Sequence, residues 1–552
     1  MNNSFVSTFL RQSKESSSKS WKKQISDPEK RKTAYAESTV RTTVHPDIIF
    51  YESMSGARLM DSPYAIFSEI RNRNRAFYKK TLHVWSIGKS FEVSPELSSD
   101  ENVVFVQRHT PEYIYYLSRA KFVIGNSILP EYFVRREGQK YLNTWHGIGY
   151  KSLGRTPANP LGAALSVSNM LQATHVLSPC RFMTDIQLDG FSMRGVYAGE
   201  FLESGYPRID LTVNTSSSRA GQLKVELGLN PDLPIILYAP TWRGDNDDDA
   251  FDEVRLKADL RLISTDEVNV IFLGHHIMLR KLRGIKLNNV VIPPENSNTN
   301  ELLSITDILI TDYSSIFFDF LVTRKPIIHY IYDVEQYTRA RGVSLEVEEL
   351  PGFVAQTSEQ LQESVLKAMT MKEDFSSKYE AARQRFCPHD DGQSSAIVVS
   401  WFFDNQLPGR SLVDSHAAKR NKIYWGGRLG SEQSTKDYFD LILQDVAKNE
   451  VNVILFVARS VRKNSLAMKL IGQLGNSIAV ITRSDYNMGM TADEYRARQT
   501  LASDSLPETR SNYYAIYARE YKRIFGSSTF DEICMFPESS RFWKELSKYA
   551  LK

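Results

Sequence analysis

The sequence predicts an α/β protein of doubly wound parallel sheets, in more than one domain. Three observations point there. Six short runs, VVFVQ (103–107), KFVIGNS (121–127), IILYAP (235–240), NVIFLG (269–274), DILIT (307–311) and KPIIHYI (325–331), are nearly unbroken in apolar character. Such runs mark strands buried on both faces. Helical stretches lie between them, as the crossovers of parallel strands require. The chain of 552 residues, 42% hydrophobic and 24% charged, has room for roughly three to four domain-sized cores.

Taken in order, residues 1–45 begin with a segment dominated by Ser, Lys and Arg, including Arg11, Lys14, Lys19, Lys22, Lys23, Lys30, Arg31 and Lys32. A segment so poor in apolar side chains is expected to be disordered. Residues 46–200 and 201–405 each predict a doubly wound, Rossmann-like unit, the two facing each other across a cleft. After the polar stretch QLPGRSLVDSHAAKR (406–420), residues 421–552 predict an additional, smaller α/β unit. Its elements are NKIYWGGRLG (421–430), VNVILFVARS (451–460), SIAVITRS (477–484), a helical YYAIYAREYKRIFG (513–526) and a strand-like DEICMF (531–536). The WGGRLG loop after a strand suits either a phosphate cradle or, more commonly, plain turn chemistry.

Charge and cysteine content narrow the function classes. A net charge of +3 with no RNA- or DNA-binding signature argues against a nucleic-acid partner. Arg71, Arg73, Arg75, Lys79 and Lys80 form a second basic cluster beside the one at the beginning. Both fit either solvated surface or contact with an anionic membrane, worth about 1 kcal/mol per basic residue near lipid. No apolar run approaches the ~20 residues that span a bilayer, and the beginning is too polar for a signal peptide. The expected location is the cytoplasm or its membrane face. Cys180, Cys387 and Cys534 are too scattered for a metal-ligand pair or a disulfide framework. The acidic run GDNDDDAFDE (244–253) reads as a solvated loop, so no metal is assigned.

The chemistry concentrates at a few strand ends. In YLNTWHGIGYKSLG (141–154) a strand-like run ends at Thr144-Trp145-His146-Gly147, placing an imidazole where α/β folds face their ligand crevice. A His there is by itself more often an ordinary hydrogen-bonded residue. Further segments follow in a fixed order: SGYPRID (204–210), IILYAPTWRGD (235–245), VNVIFLGHH (268–276), DILITDYSSIFFDF (307–320), KPIIHYIYDVEQYTRARG (325–342) and CPHDDGQSS (387–395). In TDYSS, Ser314 and Ser315 lie between a strand and a helix-like run, where hydroxyls and N–H groups can face an anion, helix capping being the plain alternative.

With these motifs in this order, the chain over about residues 48–400 resembles the CDP-glycerol glycerophosphotransferase family, the teichoic-acid polymerases and primases of GT-B type. The resemblance implies a GT-B-like fold and transfer of glycerol phosphate, or a related polyol phosphate, from a CDP-activated donor. The implied acceptor is lipid-linked or polysaccharide, in teichoic-acid or capsule-type synthesis on the cytoplasmic face of the membrane. It implies no cofactor beyond the CDP-polyol donor. His146 and His275 are the implied catalytic pair, with His276 one residue on as the alternative second member. The implied substrate contacts are Gly147, Ile148, Gly149, Tyr150 and Lys151 after the first His, Tyr206, the strand-end trio Thr241, Trp242 and Arg243, Gly274, and Thr311, Asp312, Tyr313, Ser314, Ser315 and Asp319. Arg243 suits bidentate pairing with a phosphate, or an ordinary salt bridge. Asp319, one helical turn past Ser315, is placed to orient the serines or a ribose or glycerol hydroxyl.

Two departures bear on the donor. The family's Thr-Pro after Trp-His-Gly is Ile148-Gly149 here, and its Arg two residues before the second His is Leu273. Unless Arg280, Lys281 or Arg243 substitutes, a phosphate-pairing group is lost, which admits another CDP-polyol such as CDP-ribitol. Residues 421–552 resemble half of a further glycosyltransferase module, expected to be noncatalytic or acceptor-side. The competing readings are a nucleotide-sugar glycosyltransferase on the same fold and a nonenzymatic scaffold that binds glycopolymer or membrane.

Overall fold

A computed structural model of the chain describes residues 22–89, 91–151, 153–155, 159–243, 252–275, 278–279, 289–416, 418–475, 477–484, 488–500 and 506–551. Their strands form three sheets in which every pair is parallel. The first contains β1 (His45–Glu52), β2 (Leu82–Ile87), β3 (Val103–Gln107), β4 (Ala120–Gly125), β5 (Lys140–Asn143), β6 (His175–Ser178) and β7 (Glu200–Glu203), in the order β3-β2-β1-β4-β5-β6-β7. The second contains β8 (Ile235–Ala239), β9 (Asn269–Phe272), β10 (Val290–Val291), β11 (Ile308–Thr311), β12 (Ile327–Tyr330) and β13 (Phe353–Ala355), in the order β10-β9-β8-β11-β12-β13. The third contains β14 (Asn421–Gly427), β15 (Asn452–Ala458), β16 (Ala479–Arg483) and β17 (Glu532–Met535), in the order β16-β15-β14-β17.

In all three, the chain winds one way from the first strand and then reverses. That reversal is the doubly wound pattern, and it opens a crevice at the carboxyl ends of the two central strands. The apolar runs of the sequence are its cause. β8 and β11 are buried along their whole length, so helices must cover both faces. Local signals set the helix starts. Thr110 caps Pro111–Arg119 by accepting from the Tyr113 N–H at 3.1 Å, with Pro111 at the first position.

Part of the basic beginning differs from its expected disorder; residues 1–21 lie outside the described residues. Pro28–Arg41 is a helix, with Asp27 accepting from the Glu29 N–H at its start. Average composition concealed its buried face, formed by Lys32, Tyr35 and Ala36 at helical spacing. Tyr35 is buried against Phe133, and its hydroxyl donates to the Val134 carbonyl at 2.9 Å.

The third sheet is fastened to the first lobe by both core and backbone. Leu171 of the first lobe, Trp425 and Phe525 share one hydrophobic cluster. Arg155 donates to the carbonyls of Ile478 and Gly475, and Thr482 to that of Leu161. Directly after the WGGRLG loop a carboxylate is held: Glu538 accepts from the Ser431 N–H at 3.1 Å and from the Ser431 and Ser434 hydroxyls at 3.1 and 2.5 Å. These bonds lie at the start of the helix Glu432–Lys448 and lower the pKa of Glu538. Any side chain at Gly430 would overlap that carboxylate, a Cβ there falling 1.7 Å from Oε2. Among the described residues no helix is long and apolar enough to cross a membrane.

If the helix Pro28–Arg41 is part of the folded core, Tyr35→Ala should cost about 3 kcal/mol, the usual range for emptying a buried aromatic site. Urea unfolding of the full chain measures this; a change within 0.5 kcal/mol would mean that the helix contributes no stability.

Candidate active site

The crevices of the first two sheets oppose each other, and one cavity of about 320 Å³ lies between them. Its first wall is the loop after β5. Asn143 accepts from the Trp145 N–H at 2.9 Å, and the chain then passes through left-handed conformations at Trp145 (φ 54) and Gly147 (φ 138). A tryptophan held at positive φ is strained, and surrounding contacts must hold it there. The turn stacks the Trp145 ring on His146, with centroids 4.4 Å apart.

His146 Nδ1 lies 2.8 Å from the Asn126 carbonyl, just beyond β4. A carbonyl oxygen only accepts, so Nδ1 carries the hydrogen and Nε2 of the neutral ring carries the lone pair. Burial lowers the pKa of His146 below the usual histidine value; the Asn126 carbonyl and Asp61 oppose that shift and Arg208 adds to it. At neutral pH the ring is therefore an unprotonated base.

The second wall comes from the ends of β8 and β11, the two central strands of the second sheet. Thr241, Tyr313, Ser314 and Ser315 line the cavity opposite His146, Gly147, Ile148, Gly149, Tyr150 and Lys151. Asp312 fixes the end of β8 by accepting from the Thr241 N–H at 2.9 and 3.0 Å. Tyr313 stacks on Tyr337 at 3.7 Å and donates to Asp333 at 3.0 Å. Ser315 precedes the helix Ile316–Phe320 and makes no side-chain cap, while the Ser314 hydroxyl accepts from the Ile316 N–H at 3.4 Å. This helix is only five residues long. Local N–H groups and hydroxyls, rather than a long macrodipole, supply its attraction for an anion. The two walls are joined beyond the cavity, where the Ser344 N–H donates to the Tyr150 carbonyl at 2.9 Å and its hydroxyl to that of Gly149 at 2.7 Å.

Several residues expected at the site lie behind it. Tyr206 supports the loop, its hydroxyl donating to the Gly147 carbonyl at 3.3 Å. The Thr311 hydroxyl donates across the sheet to the Ala239 carbonyl at 2.9 Å. Arg243 is committed to carboxylates in place of a phosphate: Nη1 to Asp312 at 2.7 Å, Nε and Nη2 to Asp333 at 2.7 and 3.2 Å. Asp319 turns from the serines to Arg208 Nη2 at 2.7 Å and Asn300 Nδ2 at 3.3 Å. Those partners come from other segments of the chain and engage one oxygen each.

Trp242 and His275 stack on each other at 5.4 Å, next to Gly274 and outside the cavity lining. His276, Arg280, Lys281 and residues 244–251 of the acidic run lie outside the described residues. Sequence reasoning did not single out Arg208, Asp61, Asn126 or Asp333. Arg208 carried a signal, a charge next to the helix-starting Pro207 in SGYPRID; Asp61 carried none.

Beneath the loop, Asp390 is buried and accepts from the Tyr206 N–H at 2.9 Å. Burial pushes its carboxyl up to about 8, the Tyr206 N–H opposing this and Asp319 and Asp210 reinforcing it.

Two doubly wound sheets meeting at a cleft, with an imidazole on one wall and serine hydroxyls on the other, have the architecture of a GT-B transferase. Residues 34–404 match the CDP-glycerol:poly(glycerophosphate) glycerophosphotransferase family. The chain belongs to that family. It is 29% identical over 374 residues to the teichoic acid poly(glycerol phosphate) polymerase of Bacillus spizizenii, covering 64% of this chain and 91% of that protein. To the teichoic acid glycerol-phosphate transferase of Staphylococcus aureus it is 27% identical, over 65% of this chain and 93% of that protein. Among solved structures, the wall teichoic acid polymerase TagF superposes with a TM-score of 0.59 at 25% identity, over 68% of this chain and 93% of that one.

The folded chain keeps the Asp390 proton to about pH 8, whereas the unfolded chain releases it near the ordinary carboxylate value of about 4. Between those values the native state binds more protons, so this group's contribution to stability falls as pH rises. Asp390→Asn keeps the acceptor for Tyr206 and removes the titration. The variant should melt with wild type near pH 4 and several degrees above it at pH 8 to 9; an equal melting temperature throughout would show that Asp390 is ionised in the fold.

Proposed function

We propose that this chain moves glycerol phosphate, or a related polyol phosphate, from a CDP-activated donor to a lipid-linked or polysaccharide acceptor in teichoic-acid or capsule-type synthesis. The observation that carries the reading is His146 Nε2, left basic by the Nδ1 bond to Asn126, in one cavity with Ser314 and Ser315. Phosphoryl transfer asks little of a protein beyond a placed base and groups that hold charge.

Nε2 takes the proton of the acceptor hydroxyl as its oxygen bonds to the phosphorus that carries the polyol. The bond from that phosphorus to the bridging oxygen breaks, and cytidine monophosphate leaves with the electron pair. The Ser314 and Ser315 hydroxyls, their backbone N–H groups and the Lys151 ammonium face the phosphates. His275, at the neighbouring strand end, is assigned to the charge of the transferred phosphate. The reading makes residues 46–200 the acceptor side, residues 201–405 the donor side and residues 421–552 a noncatalytic or acceptor-side unit. Arg73, Arg75, Lys79 and Lys80 are exposed together, which supports peripheral contact with an anionic membrane on its cytoplasmic face.

The test is cytidine monophosphate release from CDP-glycerol and CDP-ribitol with a lipid-linked acceptor analogue. His146→Ala should lower kcat by about 10²- to 10⁴-fold, the usual worth of a general base, and His275→Ala should also lower it. Because burial depresses the His146 pKa, the acid limb of kcat/KM should fall below the ~6.5 of a free imidazole. Turnover of a sugar nucleotide and of neither CDP-polyol would replace this reading with a glycosyltransferase.

A further inference from the structure

The helix Pro207–Val213 carries Arg208 into the seam between the two lobes, where its guanidinium binds three separate segments. Nη1 donates to Asp61 at 3.0 Å and to the His146 carbonyl at 2.8 Å, and Nη2 donates to Asp319 at 2.7 Å. Asp61 opens the helix Asp61–Arg73 of the first lobe, and Asp319 lies in the helix that Ser315 precedes. All three side chains are more than nine-tenths buried. Arg208 also lies over the Tyr206 ring, 5.0 Å from its centroid.

Two further features mark this seam as built for orientation. Asp61 is held at φ 67, a left-handed conformation that a residue other than glycine adopts only under constraint. Its second oxygen is bonded to the Ser62 N–H. The loop residue after His146 is Gly147, and a Cβ there would stand 3.0 Å from Arg208 Nη2 and 3.3 Å from the Ser315 hydroxyl. The backbone next to the base is therefore wedged between Arg208 and one of the two serines. A planar fork that bonds a carbonyl and two carboxylates fixes direction as well as distance, which an ammonium cannot reproduce.

We propose that Arg208 is a positioning residue for the transfer reaction, setting His146 against Ser315 by joining the His146 carbonyl to carboxylates of both lobes. Arg208 is not among the residues that line the cavity, so it acts through the loop. The kinetic part of this inference rests on the proposed transfer; the placement of His146 does not.

The test uses the full chain with Arg208→Lys and Arg208→Met, each shown by thermal melting to fold. Because 1 Å of misplacement can cost on the order of 10²-fold, Arg208→Met should lower kcat for cytidine monophosphate release about 100-fold and Arg208→Lys by a smaller factor. Donor KM should stay within about threefold, since no substrate contact is removed. The second readout is ¹⁵N-histidine NMR of His146. The charges that face it are Asp61 and Arg208, and the carbonyl is that of Asn126, so loss of the guanidinium should raise its titration midpoint and shift its resonances in Arg208→Met.

Wild-type kcat in a folded Arg208→Met protein would overturn the proposal. A donor KM that rises with kcat unchanged would overturn it too, by making Arg208 a binding group. If wild type turns over no CDP-polyol, the transfer reading fails and the NMR decides alone: unchanged His146 resonances and midpoint in both variants sink the placement, and a shift in Arg208→Met upholds it.

Discussion

A guanidinium cannot sit dry and alone between two sheets. Its burial demands counter-charge and oriented acceptors, and in this chain those acceptors are the parts whose relative position matters. Asp61 from one lobe, Asp319 from the other and the His146 carbonyl between them converge on Arg208. Burial pushes the Asp319 pKa up, while Arg208 pulls it down and the Asp61 carboxylate beside it works with burial. The seam is thus electrostatically tight: the cation satisfies two carboxylates that would otherwise repel. The strained turn at Trp145 and the bare backbone at Gly147 follow from the need to pass a loop through this seam and still present an imidazole to the cavity.

A second carboxylate pair organises the opposite wall in the same manner. Asp312 and Asp333 enclose Arg243, and Asp312 in turn holds the Thr241 N–H while Asp333 holds the Tyr313 hydroxyl. The guanidinium that resembled a phosphate ligand in the sequence is one step removed from the cavity. Leu273, where the family carries Arg, packs against the core at the end of β9, with its N–H donated to the Tyr238 carbonyl at 2.9 Å. Among the described residues that line the cavity, Lys151 is the one lysine or arginine.

How much of this could be read in advance depends on the range of the interaction concerned. Runs such as IILYAP and DILIT are legible because burial on both faces leaves an unbroken apolar string, and they became β8 and β11 with ends moved by a residue or less. That His146 and the serine pair would line one cavity was legible because strand ends in this fold face a crevice. The helix Pro28–Arg41 was missed because three buried side chains on one face are diluted by the charges around them. The protein partners of Arg243 and Asp319 were not legible for a different reason. Each is paired with residues far away in sequence, Asp333 in one case and Arg208 in the other, and a single sequence does not state who faces whom.

The carboxylate of Glu538, held directly after the WGGRLG loop, occupies the start of the helix Glu432–Lys448 in the third sheet's unit. It meets the N–H and hydroxyl donors of Ser431 and Ser434 where a nucleotide-binding half of this topology would receive phosphate. A group tethered in the same fold competes with dissolved anions at an effective concentration in the millimolar range or above. Any free phosphate must first displace this internal guest and then tolerate its negative charge nearby. The third sheet thus pairs a doubly wound strand order with an internal carboxylate seated on the donors at the start of its first helix.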